Sequence, residues 1–339
     1  LWGCLILVSV AAGAASGGAG WTVVAHLDAR GGLGATAAHY ERQLVRARGR
    51  LVGLAIQVID DSGSGEPSRV RRWLVDAQGR RRQGTLWGHL EAGASGVTAF
   101  SSFVRWAAAR QPGGRRVALV MGHGPGEAPL GTGRCASGGE LRTALTSAGD
   151  EKPWDVVALD LCYASTIETL YELVGTCRYT TAAPGIIATP GLDWEGVLTG
   201  LPSEAAGGDL ARAVVGRGAA RGSGPLVAVD MTQVQAVVVG VRRLVAALAA
   251  ELPQRVGLIA LLRSRVTQWG ERNEQCDLLD WVTGLERNLE PGSAREAAQA
   301  LATGLRRMVV ARSSDSTIRS EREWGGVGVF FPAGLASEA

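Results

Sequence analysis

The sequence lacks the features that would indicate a metal-binding, disulfide-stabilised or nucleic-acid-binding protein. Its five cysteines are an odd number, and no two of them form a Cys-x-x-Cys pair, so the sequence matches neither a zinc-site pattern nor a disulfide framework. The formal net charge of +3 is too small to indicate a nucleic-acid partner. Aromatic residues are only 5% of the chain while glycine is abundant, which suits close packing of helices on a sheet. We expect no required metal or cofactor.

Long membrane-spanning runs, internal repeats and Pro- or Ser-rich linkers are also absent from the sequence. The apolar run at residues 1–15 is too short for a comfortable membrane span. Together with Ser16-Gly-Gly-Ala-Gly20 it resembles the h-region and small-residue end of a secretory signal. We therefore predict a signal-like segment at residues 1–20 of a secreted or envelope-associated bacterial protein. The alternative is a hydrophobic N-terminal helix of a cytoplasmic protein.

Strand-like and helix-like segments alternate along the first half of the chain, and this alternation predicts the fold class. Apolar, β-branched runs of strand length are separated by segments with helical periodicity. The pattern predicts a mostly parallel sheet with helices on both faces, a three-layer α/β/α sandwich. The predicted strands are Trp21–Leu27, Leu51–Ile59, Val117–Met121, Val156–Leu159 and Tyr179–Ala182, and the predicted helices include Ala35–Arg46, Ser101–Ala109, Gly138–Thr146 and Ser165–Val174.

The C-terminal part of the chain has a different pattern. From about residue 209 the sequence becomes mostly helical, and Arg295–Val310 carries one clear apolar stripe. The last predicted strand, Gly326–Phe331, is stopped by Pro332. Because no linker separates the two parts, we predict one domain at residues 21–339 with additional C-terminal helices.

Two of the predicted strands each carry a reactive side chain just past the end of the apolar run. One runs into Gly122-His123-Gly124, and the other runs into Asp160-Leu161-Cys162. In an open parallel sheet, ligands bind beyond the carboxyl ends of the strands. Neighbouring strands of this kind would bring an imidazole and a thiol to one edge, as a thiolate nucleophile with a histidine base requires. We predict that Cys162 and His123 are catalytic.

The groups around this pair suggest roles in acyl transfer. Cys162 would attack as a thiolate, and the N-terminus of the predicted helix at 165–174 would favour that anion. His123 would accept the thiol proton and later protonate the leaving amine. The backbone N–H groups of Gly124 and Cys162 are candidates for an oxyanion hole, because glycine permits close approach. The sequence identifies no third residue that would orient the imidazole.

The two strand-end motifs resemble those of the caspase–gingipain–legumain group of cysteine peptidases, and within it the clostripain family. The resemblance implies a caspase-like fold and a cysteine endopeptidase that uses a Cys-His dyad. It also implies protein or peptide substrates, and we expect a monomer. Further similar segments occur in the family's order: Trp21–Asp28, Phe103–Ala107 before His123, Gly139–Leu145, Glu168 after Cys162, Val227–Met231, Asp277–Trp281 and Gly326–Pro332.

The resemblance further implies a pocket for a basic side chain before the scissile bond. Asp160 lies two residues before Cys162, so strand alternation places both side chains on the same side. In clostripain-like enzymes an acid at this place accompanies cleavage after Arg or Lys, and a bidentate carboxylate contact would explain a preference for Arg. Asp193 is a second candidate for the pocket, although it also suits the N-cap of a helix from Trp194. Arg134 is a predicted self-processing point.

The sequence departs from the family in the segment expected to shape this pocket. Ala182-Ala183-Pro184-Gly185 stands where the family usually has Ser-Glu-Glu, and Pro190-Gly191-Leu192-Asp193-Trp194 replaces a Pro-Gly-x-Gly-Trp-like segment. The changed loop affects the expected specificity and leaves the dyad intact. It is also the basis of an alternative interpretation, a catalytically inactive caspase-like binding or regulatory module.

Two more hypotheses arise from residues near the first strand. Gly32-Leu-Gly34-Ala-Thr-Ala37, with Asp60 at the end of the second strand, resembles a dinucleotide-binding fingerprint. However, Asp28-Ala29-Arg30-Gly31 separates the strand from the glycines, where the fingerprint turn should follow almost at once. Calcium bound by Asp28 or by Asp60-Asp61 is a further alternative. The remaining histidines, Cys177 and Cys276 are expected to be structural or exposed.

Overall fold

A computed structural model describes residues 20–61, 66–90, 96–111, 114–124, 137–149, 152–218, 223–270, 273–313 and 323–332. The predicted processing residue Arg134 and nearly all of the predicted signal-like segment lie outside these residues. Within the described ranges, no helix combines the length and apolar character needed to cross a membrane.

In the part of the chain that the structure describes, twelve strands form two sheets. The strands are β1 (Trp21–Asp28), β2 (Leu51–Asp60), β3 (Ser68–Val75), β4 (Arg81–Leu90), β5 (Arg115–Met121), β6 (Trp154–Asp160), β7 (Cys177–Ala182), β8 (Val227–Asp230), β9 (Gln268–Trp269), β10 (Gln275–Asp277), β11 (Val309–Arg312) and β12 (Gly328–Phe330).

The larger sheet has nine strands in the order β11-β8-β7-β6-β5-β1-β2-β3-β4. Its five central strands, β7, β6, β5, β1 and β2, run parallel to one another. Antiparallel strands extend both edges, with β3 and β4 on one side and β8 and β11 on the other. The smaller sheet is antiparallel, in the order β12-β10-β9. The predicted mostly parallel sheet is therefore confirmed.

Helices cover both faces of the large sheet. They are α1 (Gly34–Arg46), α2 (Val97–Ala108), α3 (Gly138–Thr146), α4 (Ile167–Glu172), α5 (Trp194–Thr199), α6 (Gly207–Ala213), α7 (Val234–Ala250), α8 (Leu252–Arg265), α9 (Leu278–Asn288) and α10 (Ser293–Met308). Helices α1, α5 and α6 share one buried apolar cluster with alternate strand residues, and the other helices share a second cluster. On β6, for example, Ala158 belongs to the first cluster and Leu159 to the second. The three-layer α/β/α prediction is confirmed.

The C-terminal region contains more strand than the sequence pattern predicts. Helices α7 to α10 agree with the expected helical elaboration, but β8 and β11 complete the large sheet, and β9 and β10 help to form the small one. These strands are two to four residues long. Such segments are too short to show alternation, and they depend on pairing with neighbouring strands rather than on local propensity.

Candidate active site

The ends of β5 and β6 bring His123 and Cys162 to the same edge of the sheet. Met121 pairs with Asp160 in the parallel register, and each catalytic candidate lies two residues beyond this pair. Both side chains line one cavity of about 180 Å³, together with Asp160. The spatial arrangement is the one expected from the two strand-end motifs, because parallel strands open their carboxyl ends on one side.

Gly124 allows the two strand ends to touch. Its α-carbon lies so close to Cys162 that an added Cβ would overlap the Cys162 carbonyl group and would lie 2.8 Å from its backbone nitrogen. Only glycine fits this contact, since any side chain would push the two segments apart. The contact places the backbone of both oxyanion-hole candidates, Gly124 and Cys162, side by side.

A backbone carbonyl orients the His123 imidazole. His123 Nε2 lies 3.0 Å from the carbonyl oxygen of Gly31, in the turn after β1. A carbonyl oxygen only accepts hydrogen bonds, so Nε2 carries the proton and donates it, which leaves Nδ1 as the basic nitrogen. The group that orients the imidazole is therefore a backbone carbonyl and not a side chain. In the sequence, only the glycines after the first strand point to it.

The turn that carries this carbonyl is fixed by three polar contacts. Gly31 has a φ of +66°, and a Cβ there would lie 2.5 Å from His123 Nε2, so the position requires glycine. Its N–H donates to Asp61 Oδ2 at 2.8 Å. Arg30 forms a two-pronged pair with Asp28, at 2.8 Å from Nε and 2.7 Å from the terminal nitrogen. Asp28 and Asp61, considered above as calcium ligands, thus hold the turn that orients His123.

The same contacts bear on the dinucleotide hypothesis. In the turn before α1, the Gly31 carbonyl binds His123, and the Asp28 carboxylate lies beside Arg30. A dinucleotide fingerprint would instead present free backbone N–H groups to a pyrophosphate there. Across the described ranges, no group of three or more His, Cys, Asp or Glu side chains is arranged to hold a metal ion.

The Cys162 sulfur lies beside a backbone hydrogen-bond donor. The side chain is 8% exposed and lines the cavity, and its sulfur accepts a hydrogen bond from the Ile187 N–H at 3.3 Å. A donor aimed at the sulfur stabilises the thiolate relative to the thiol. Ile187 was not identified from the sequence, because it lies 25 residues further along the chain.

The helix expected to support the thiolate begins later than predicted. Helix α4 spans Ile167–Glu172 instead of Ser165–Val174, and its N-cap Thr166 is separated from Cys162 by a turn. Tyr163 in this turn has a φ of +55°, an uncommon conformation for a bulky residue. A six-residue helix that starts beyond the turn is a weak source of dipole stabilisation. The Ile187 N–H, and not the start of α4, therefore donates to the Cys162 sulfur.

The turn after Cys162 is held by the C-terminal segment. Ser165 Oγ donates to the Gly326 carbonyl at 2.7 Å, and the Gly328 N–H donates to the Ser165 carbonyl at 2.7 Å. The buried Asp277 carboxylate in turn accepts from the N–H groups of Gly325 and Gly326 at 2.8–3.0 Å. Strand β12 therefore helps to hold the turn after Cys162 in place.

Asp160 forms the floor of the cavity that Cys162 and His123 line. It is 5% exposed, and burial raises the pKa of its carboxyl to about 7, against an opposing effect of the Tyr40 hydrogen bond. Tyr40 Oη donates to Asp160 Oδ2. The walls of the cavity are largely apolar and come partly from the loop at 186–191; they include Leu33, Met121, Ile186, Ile187 and Ala188.

Asp193 lies in a different place from Asp160. Its carboxylate accepts from the Gly196 N–H at 2.9 Å and caps α5, as the capping alternative proposed. It lines a smaller neighbouring cavity of about 50 Å³ with His39 and Gln43. The two cavities share the loop residues Ala188, Thr189 and Gly191. The structure thus does not bring Asp193 into the cavity of the dyad.

The other described cysteines and histidines differ from the dyad in their surroundings. Burial raises the pKa of Cys177 and of Cys276 to about 12, which keeps both thiols protonated. His26 stacks on Phe100 with ring centroids 4.5 Å apart, and burial lowers its pKa to about 4. Among the described cysteines, Cys162 is the one that lines the cavity with a histidine.

Comparisons with known proteins identify the family and the fold of this chain. The sequence model of the clostripain family matches residues 132–332. No curated protein matches the chain. Solved structures of low identity share the fold. One is a secreted C11 cysteine protease from Bacteroides thetaiotaomicron in complex with an irreversible peptide inhibitor, with 15% identity, 94% of each chain covered and a TM-score of 0.63.

A second similar structure is an inactive zymogen C11 protease from Parabacteroides distasonis. It is 12% identical, covers 94% of this chain and 93% of its own, and has a TM-score of 0.66. A further structure is that of a secreted C11 cysteine protease from Bacteroides thetaiotaomicron called iotapain. It is 12% identical, the match covers 92% of this chain and 93% of that one, and the TM-score is 0.62. At these identities the structures establish the shared fold.

Proposed function

This chain belongs to the clostripain family of cysteine peptidases, and we propose that it is an endopeptidase with a Cys162–His123 dyad that cleaves after a basic residue. One observation carries the proposal. One cavity is lined by Cys162, His123 and the buried acid Asp160, which would supply a nucleophile, a base and a site for a cation.

The proposed reaction proceeds by acyl transfer. His123 Nδ1 takes the thiol proton, and the Cys162 sulfur forms a bond to the scissile carbonyl carbon. The carbonyl oxygen becomes an oxyanion that accepts hydrogen bonds from the N–H groups of Gly124 and Cys162. The imidazolium then gives its proton to the leaving amine as the C–N bond breaks. A water molecule, deprotonated by His123, hydrolyses the thioester and restores the thiol.

The selectivity proposed for this enzyme rests on Asp160. A carboxylate on the floor of a largely apolar cavity attracts a cationic side chain, because the low local dielectric strengthens the attraction between charges. The changed segment at 182–185 contributes no acid to this cavity, so Asp160 is the acid among its lining residues. We propose Asp160 as the residue that binds Arg or Lys before the scissile bond.

The remaining parts of the proposal concern the state of the protein. We propose a monomer that acts on protein or peptide substrates, without a required cofactor and without nucleic acid. Two of the structurally similar proteases are described as secreted, which supports the proposal of a secreted or envelope-associated enzyme. Self-processing at Arg134 stays a prediction, to be checked by N-terminal sequencing of any fragments that form on incubation.

The test uses the purified chain and peptide amides that differ only in the residue before the cut. We expect cleavage after Lys or Arg, and loss of measurable hydrolysis in Cys162→Ala and in His123→Ala. Cys177→Ala is the matched control, because it removes a buried thiol outside the cavity. Hydrolysis that persists in Cys162→Ala would exclude the dyad. A peptidyl electrophile that fails to label Cys162 in the unmodified chain would favour the inactive module.

A further inference from the structure

Tyr40 is a fully buried tyrosine whose hydroxyl sits behind the floor of the active-site cavity. It lies on α1 with 0% of its surface exposed. Its hydroxyl donates to Asp160 Oδ2 and accepts from the Leu192 N–H at 2.5 Å. Among the described residues, Tyr40 is the side chain that hydrogen-bonds with the Asp160 carboxyl group.

The position of this hydroxyl is fixed from two sides. Gly191 has a φ of +88°, and its α-carbon lies against the hydroxyl so closely that a Cβ there would overlap it. Gln43, one turn further along α1, donates to the Leu192 carbonyl at 3.2 Å and accepts from the Glu195 N–H at 3.0 Å. Tyr40 therefore cannot swing away from Asp160 without breaking the packing of α1 on the 191–195 segment.

We propose that Tyr40 sets the specificity of the basic pocket, by competing with the substrate for one oxygen of Asp160 and so favouring lysine over arginine before the scissile bond. This inference rests on the proposed role of Asp160 as the site for a substrate cation. Tyr40 acts through Asp160 and is a positioning residue.

The preference follows from the shapes of the two cations. A guanidinium is a planar fork with five N–H donors, and its strongest contact uses both oxygens of a carboxylate. Tyr40 already uses one of the two lone pairs of Oδ2, so a two-oxygen contact with a guanidinium would have to share that oxygen with the phenol. A buried arginine held through Oδ1 alone would keep unsatisfied donors, which is costly. An ammonium is a compact charge with three donors. One carboxylate oxygen, with the nearby polar residues Thr36 and Thr189, provides acceptors for it.

Tyr40 also affects the ionisation of Asp160. Burial raises the pKa of this carboxyl, and the Tyr40 hydrogen bond lowers it. The other titratable groups that line the same cavity are His123, beyond β5, and Cys162, at the end of β6. Loss of the hydroxyl would raise the Asp160 pKa further. A lysine substrate needs the carboxylate form of Asp160. Without the hydroxyl, its affinity would therefore begin to fall at a higher pH, as the solution is acidified, than in the unmodified chain.

The experiment compares Tyr40→Phe with the unmodified chain on peptide amides that carry Lys, Arg or norleucine before the cut. We expect the unmodified chain to prefer Lys over Arg in kcat/KM, and the variant to reduce that ratio about tenfold, mainly through KM, as for loss of one hydrogen bond to a charged group. For the Lys substrate, the acidic limb of the pH profile should move to higher pH. For the norleucine substrate, the acidic limb should stay at the same pH.

The matched control is Tyr179→Phe, which removes a tyrosine hydroxyl on β7 outside the cavity and should change neither the ratio nor the pH limb. An unchanged Lys-to-Arg ratio in Tyr40→Phe, or a preference of the unmodified chain for Arg, would overturn the inference and leave the proposed function standing. Equal cleavage after Lys, Arg and norleucine by the unmodified chain would instead refute the proposed basic specificity.

A second measurement applies if Tyr40→Phe does not fold. Full replacement of tyrosine by 3-fluorotyrosine keeps the packing and makes the phenol a stronger donor. The acidic limb for the Lys substrate should then move to lower pH relative to the unmodified chain. A limb that does not move, or that moves for the norleucine substrate as well, would overturn the inference.

Discussion

Two buried carboxyl groups, Asp160 and Asp277, show how similar burial leads to different roles. Burial raises the pKa of Asp160 to about 7 and that of Asp277 to about 6. Asp277 is surrounded by backbone donors, because it caps α9 through the Asp280 N–H at 2.8 Å and binds Gly325 and Gly326. Asp160 has the single Tyr40 hydroxyl and lines a cavity.

The difference lies in how completely each carboxyl group is satisfied. Asp277 uses its hydrogen-bonding capacity to join the start of α9 to the segment before β12, which in turn holds the turn after Cys162. Asp160 keeps capacity for a ligand, and its raised pKa reports the cost of burying a charge that has few partners. A well-satisfied buried acid is structural, whereas an under-satisfied one beside a cavity is a candidate for binding.

The largest expected effect separates the two acids by activity. Asp160→Asn keeps the shape of the side chain but removes the charge, so kcat/KM for Lys or Arg peptides should fall about 100-fold or more, as for a buried ion pair that loses one partner. The norleucine peptide serves as the internal control and should change by less than about threefold. Steady-state kinetics on the three peptides measure this. An equal loss on all three would mean that Asp160 supports the dyad and does not bind the cation.

The second effect separates the acids by stability. Asp277→Ala removes the cap of α9 and leaves several buried N–H groups without an acceptor, so the free energy of unfolding should fall by about 2–3 kcal/mol. Urea denaturation followed by tryptophan fluorescence measures it, with Asp160→Asn as the contrasting variant. If Asp277→Ala is as stable as the unmodified chain, the proposed clamp on the C-terminal segment is wrong.

A third prediction concerns the carbonyl that orients His123. Gly31→Ala would place a methyl group against the imidazole, so kcat should fall about tenfold or more, because small displacements of a catalytic group are costly. Gly32→Ala is a close control: Gly32 also has a positive φ, +89°, but nothing lies within 4 Å of its Cβ position. Both variants should lose about 1 kcal/mol of stability through the backbone. Equal loss of kcat in both would show that strain, and not contact with His123, is responsible.

The last prediction concerns the pH dependence of stability. Because the folded pKa of Asp160 is raised from 3.8 to about 7, the folded protein binds more protons than the unfolded chain between these values, and this group's contribution to stability falls as the pH rises. Asp160→Asn does not titrate, so it should gain stability relative to the unmodified chain from about pH 4 to pH 7. Denaturation curves at several pH values test this, and a constant difference between the two proteins would contradict it. For Asp277 the sign is the same and the window ends at about 6.

Much of the fold was predictable because its strands are locally encoded. The runs that became β1, β2, β5 and β6 are long, apolar and rich in β-branched residues, and helix α3 has the predicted bounds, Gly138–Thr146. Helix α4 was predicted too long, since the turn at Tyr163–Thr166 is stabilised by contacts with Ala183, Gly185 and Gly326 that no local pattern reveals.

The sequence alone determined which side chains stand at the carboxyl ends of two strands, since the end of an apolar run and the residue types after it are local properties. It therefore indicated His123, Asp160 and Cys162 as candidates. Tertiary structure decided how these groups are satisfied: the Gly31 carbonyl beside His123 lies 92 residues away, and the Tyr40 hydroxyl on Asp160 lies 120 residues away. Hydrogen bonds between distant segments form only where the folded backbone brings those segments together. The Gly31 carbonyl is a backbone group that every residue possesses, so no residue type in the sequence marks it.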